Sequence, residues 1–101
     1  MVDRIIEAMK RKVRVRCSTS GNEGRFVFEP HVIYTDPEVN KTLVAGYFCG
    51  PVESVRSIRR WTEFEVKRLD AVYFSHVRFE LDSESADLRS RIPGKAKYVV
   101  C

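Results

Sequence analysis

Near the start of the chain Lys12, Arg14 and Arg16 alternate with Val13 and Val15, and further on Arg56, Arg59 and Arg60 lead directly into Trp61. Alternation places the first three cations on one face of a strand. Such a stripe has two uses: it tracks a phosphate backbone or holds an anionic ligand, or it covers a solvated strand face and deters edge pairing. Trp61 and Tyr47 are the rings most available to stack on a base, because a chain this short needs its other aromatics for its interior. Arg68, beside Val66 and Leu69, either snorkels to the surface, pairs with a carboxylate such as Glu29, or offers its fork to a ligand oxyanion.

Catalytic and metal chemistry find less footing. A Cys17, His31 and Glu29 triad can be drawn, but neither histidine has a recognisable nucleophile context beside it, and cysteines of small domains serve mostly as buried hydrophobes. Cys17, Cys49 and Cys101 are odd in number, with neither CxxC nor Cys/His ligand spacing, so a disulfide framework and a zinc site are both disfavoured. The glycines form no phosphate-binding loop. The carboxylates Glu80, Asp82, Glu84 and Asp87 read as a solvated segment, not a calcium loop. The reading is non-enzymatic, with no cofactor.

These side chains must be carried by one small domain. The chain has 101 residues, 44% of them hydrophobic and 11% aromatic, which supports a single modest core and excludes a multidomain or disordered reading. The formal charge of +4 is mildly basic. It permits an anionic partner without requiring one. The excess sits in residues 1–16, where six basic side chains meet Asp3 and Glu7, whereas residues 17–50 are net acidic. There is no signal peptide pattern and no apolar run of membrane-spanning length, so the expectation is a cytoplasmic protein without a membrane partner.

Asp3 is the expected cap of a first helix in which Ile5, Ile6 and Met9 recur at helical spacing. Strands are expected over 12–17, 25–28, 32–34, 42–49 and 61–66, with Glu29-Pro30 separating the second from the third. In residues 51–60, Val55 and Ile58 fit a helical turn or a long loop. One helix followed by five or six short strands gives an α+β, mainly β architecture with a strongly bent antiparallel sheet or small barrel. The expected domain is residues 1–81, and residues 82–101 form a polar tail with an edge strand at 97–101.

The order of these signals resembles the WYL domain family. The residues that carry it are Ala8-Met9, Val13-Arg14-Val15-Arg16-Cys17, Arg25, Glu29-Pro30, Leu43-Val44-Ala45, Phe64-Glu65-Val66-Lys67-Arg68-Leu69 and Phe79, together spanning residues 4–79. The resemblance implies a five-stranded Sm-like or SH3-like barrel behind one N-terminal helix, found in bacterial transcription regulation. It also implies a groove for nucleic-acid or nucleotide-like anions. Departures are plain: Lys41 and Thr42 replace the Trp and Tyr of the name motif, Cys17 replaces a Tyr, and Thr62 replaces an Arg for which Arg60 is the nearest substitute. Arg25 sits one residue early. The expected ligand set is Arg14, Arg16, Arg25, Arg60 and Arg68 with Tyr47 and Trp61. The alternative is a protein-interaction or homodimerisation domain that docks on a regulator and has lost its ligand.

Overall fold

A computed structural model describes residues 1–20, 24–52 and 59–101. Helix α1 (Val2–Arg11) is followed by strands β1 (Val13–Thr19), β2 (Phe26–Asp36), β3 (Lys41–Pro51) and β4 (Arg60–Glu65). A 3-10 turn (Val66–Arg68) then leads into β5 (Leu69–Arg78), helix α2 (Ser83–Ser90) and β6 (Lys95–Val99). The expected α+β, mainly β class is what the chain adopts. Every ladder is antiparallel, in the order β4-β3-β2-β1-β5, with β6 also on β2. The sheet is open: β4 and β5 end the order and no ladder joins them among the described residues.

Several expectations need correction. Asp3 is not the cap of α1; the cap position is Met1, two residues earlier, and Asp3 lies in the first turn, where its charge faces the positive end of the helix dipole. Glu29-Pro30 does not divide two strands. β2 runs through it because the interruption falls between two partners: β1 pairs with Phe26, Val27 and Phe28, and β6 takes over from Val32. Pro30 sits in that gap, beside a register shift against β3, where its missing N–H breaks no continuous ladder. Opposite Pro30 stands Gly46, and a Cβ there would come within 1.9 Å of the Glu29 carbonyl oxygen, so only glycine admits this approach of β3 to β2. The Val55 and Ile58 turn, like Arg56, lies outside the described residues.

The two faces of the sheet differ. One buries Val15, Phe26, Phe28, Ile33, Val44 and Val72 beneath Ile5, Ala8 and Met9 of α1. Register fixes the opposite set, since Val15 pairs with Phe28 and Phe74, which places Arg14, Arg16, Val27 and Tyr73 on the second face. α2 covers part of that face, with Leu88 packed near Val27, Tyr47 and Cys49.

Candidate functional site

Glu29 is the centre of the second face. It has no exposed surface, and two arginines reach it from distant parts of the chain. The Arg14 Nε donates to Oε2 at 2.8 Å, and the Arg59 Nη1 donates to Oε1 at 2.6 Å. The Cys49 thiol points at Oε2 from 3.7 Å. Burial alone raises the pKa of this carboxyl. The polar contacts with His31 and Arg14 and the charges of Arg59 and Arg14 outweigh burial and hold it below the ordinary glutamate range. Burial likewise opposes the Arg59 charge, and Glu29 more than compensates.

A second layer of contacts ties α2 to this centre. The Arg59 guanidinium lies 4.3 Å from the Tyr47 ring centroid, with Nη2 3.6 Å from Asp82 Oδ2. The Tyr47 hydroxyl donates to Glu84 Oε1 at 2.9 Å; burial first, then Glu84, pushes its pKa up to about 12. Asp82 caps α2 by accepting from the Ser85 N–H at 2.8 Å, and that hydrogen bond leads the causes holding its carboxyl low. The Arg89 Nη1 contacts both Ser85 Oγ, at 2.9 Å, and His31 Nδ1, at 3.2 Å. An arginine only donates, so Nδ1 accepts and neutral His31 carries its hydrogen on Nε2. That nitrogen is 3.8 Å from Glu29 Oε1, too long for a hydrogen bond.

Beside this cluster the second face opens. A groove of about 320 Å³ lies over β1 and β5, walled by Arg14, Arg16, Val27, Ser75, His76 and Val77. Arg14 contributes to both regions: Glu29 takes its Nε, and among the described residues no hydrogen bond or ion pair occupies its Nη atoms. Arg16, exposed, has no ion pair among the described residues. Directly across from it Tyr73 is 44% exposed, and the Arg25 guanidinium lies 5.4 Å from the Tyr73 ring.

Of the expected ligand residues, Arg14 and Arg16 therefore meet in one groove, with Arg25 next to it. Arg60 does not join them. It pairs with Phe48 and shares parity with Phe64, which packs on the α1 side, so it belongs to the other face. Arg68 sits exposed in the 3-10 turn, as in the first of its three alternatives, and Glu29 is paired by Arg14 and Arg59. Tyr47 is buried under Arg59, edge-on to Trp61 and His31, and has no open face for a base; Trp61, half-buried, packs in the same cluster. Next to the groove, across from Arg16 and outside the groove's walls, is the exposed ring of Tyr73, whose place on this face follows from the β1 and β5 alternation.

The triad of Cys17, His31 and Glu29 does not form. Cys17 is in the apolar cluster under α1, where burial pushes its pKa up to about 12; the His31 ring packs against Tyr47, Trp61 and Phe79. Cys49, closer to Glu29, is raised to about 11, first by burial and then by the Glu29 charge, so it is a thiol at neutral pH and no nucleophile. No group of metal-holding side chains occurs among the described residues. A further cavity, about 530 Å³, lies between Val2, Val39, Thr42, Val66 and two lysines, Lys41 and Lys67; here Lys41 faces Glu65 at 3.8 Å. No helix among the described residues is long and apolar enough to cross a membrane. Compared with protein-family models, curated proteins and solved structures, the chain shows no match.

Proposed function

We propose that this chain is a non-enzymatic binding module for an anionic ligand, a nucleotide or a short single-stranded nucleic acid, received on the outer face of β1 and β5. The observation that carries this is the groove in which Arg14 and Arg16 converge beside an exposed Tyr73. Adjacent positions on one strand face lie about 6.6 Å apart, a spacing that suits successive charges of an extended polyanion. The aromatic ring next to the cations gives a base a surface to stack on. A WYL-like small barrel with a regulatory role is the family form of this reading, supported in outline by one N-terminal helix leading into an antiparallel sheet.

Titration of a labelled single-stranded oligonucleotide at rising salt tests it. Two phosphate contacts give a log-log slope of about −1.4, at about −0.7 for each contact. Arg16→Glu should abolish most of the binding, whereas Arg60→Glu, on the other face, should change it little. Equal losses in both variants, or no binding at low salt, would remove the proposal. A second reading, dimerisation along β5, draws on the exposed Tyr73 and Val77 of that end strand. A tight dimer in sedimentation, without oligonucleotide binding, would favour it.

A further inference from the structure

Arg14 is held unlike any other cation of the groove. Its Nε is spent on a carboxylate that has no exposed surface, and that carboxylate is itself fixed from the far side by Arg59 at 2.6 Å. A guanidinium gripped through Nε cannot swing about its side chain. Its two Nη groups carry no other bond among the described residues and remain as a fork, and Arg14 is one of the groove's walls. Beside the fork stand Arg16, with no ion pair among the described residues, and Ser75, whose Oγ accepts from the Val77 N–H at 3.1 Å and so keeps its own hydrogen to donate.

Resting on the anion-binding reading above, we infer that the groove selects a terminal phosphate, the monoester end of a nucleotide or of an oligonucleotide, over the internal diesters of a chain. Glu29 acts as the positioning residue that aims the Arg14 fork. A monoester carries about −1.5 to −2 charges at neutral pH and presents three acceptor oxygens. Arg16 and the excess of Arg14 and Arg59 over the single charge of Glu29 answer that charge, and the fork, the Arg16 guanidinium and the Ser75 hydroxyl match the number of oxygens. A diester, with one charge and two free oxygens, leaves one cation and one donor unused.

Glu29→Gln separates positioning from simple charge, because the two predict opposite signs. Removing a negative charge next to the groove strengthens anion binding if electrostatics alone operates. Loosening the fork weakens it. The measurement is the affinity ratio between a 5′-phosphorylated oligonucleotide and the same sequence ending in a 5′-hydroxyl, with a nucleoside 5′-monophosphate and its nucleoside as a third arm that tells a free nucleotide from a strand end. The wild-type chain should prefer the phosphorylated end by about tenfold, roughly one charge-assisted hydrogen bond, and Glu29→Gln should erase most of that preference. Arg14→Lys keeps the charge without the fork, so it should preserve the salt slope and lose the end preference; it decides the matter if Glu29→Gln fails to fold. Equal binding of both ends by the wild-type chain, or tighter phosphate binding by Glu29→Gln, would overturn the inference while leaving anion binding itself intact. No binding of any oligonucleotide or nucleotide at low salt would overturn both.

Discussion

The two faces of one sheet are stabilised by different physics. Under α1 the contacts are apolar and redundant: Phe28 meets Phe64 edge-on, Phe26 stacks on Phe64, and Ile5, Ala8 and Met9 close the layer. On the other face one carboxylate with no access to water depends on arginines 15 and 30 positions away, and the helix above it, α2, buries only Ser85. The apolar face gains from area removed from water and has no single indispensable partner. The polar face gains little net energy from its ion pairs but becomes costly when one is broken.

Breaking each face in turn should show this difference. Phe28→Ala on the apolar face should cost about 3–5 kcal/mol in denaturant unfolding, because a fully buried aromatic leaves a cavity. Arg14→Ala combined with Arg59→Ala should cost about 3 kcal/mol, the lower end for stranding a buried charge, since both arginines keep some contact with solvent. The acid limb of the stability profile sharpens the comparison further. In the wild-type chain the folded Glu29 and Asp82 titrate below their unfolded values, so their contribution is present above about pH 4.3 and is lost as pH falls through the lowered values. In the double arginine variant the lowering influences of Arg14 and Arg59 are gone and His31 is left against burial, so the Glu29 pKa rises from its wild-type position and the loss of stability on acidification shrinks. A double variant whose stability falls on acidification as steeply as the wild type would show that the arginines are not what keeps Glu29 charged.

The apolar face was largely legible in the sequence, and the polar one was not. Val13, Val15 and Cys17 alternate, and Ile5 and Met9 recur at helical spacing, so periodicity alone places them. Arg14 and Arg16 are visible as a stripe for the same reason. Nothing local tells that Glu29 takes Arg14 and Arg59 and leaves Arg68 to solvent, because that choice depends on which strands become neighbours. α2 carries no apolar stripe, and its one readable sign, an Asp82 cap answered by Ser85, occurs in a segment that otherwise looks like a charged tail. The Glu29-Pro30 break misled because a proline between two successive partners of one strand costs little. Arg60 misled by parity: it is adjacent to Trp61, and a step of one residue exchanges the faces.

The most direct measurement is the map of backbone amide shifts as a nucleoside 5′-monophosphate is titrated into the labelled protein. Shifts should concentrate at Arg14, Arg16, Tyr73, Ser75 and His76. Shifts concentrated instead around Lys41, Thr42 and Lys67, or spread evenly over both faces, would contradict an anion site on the outer face of β1 and β5.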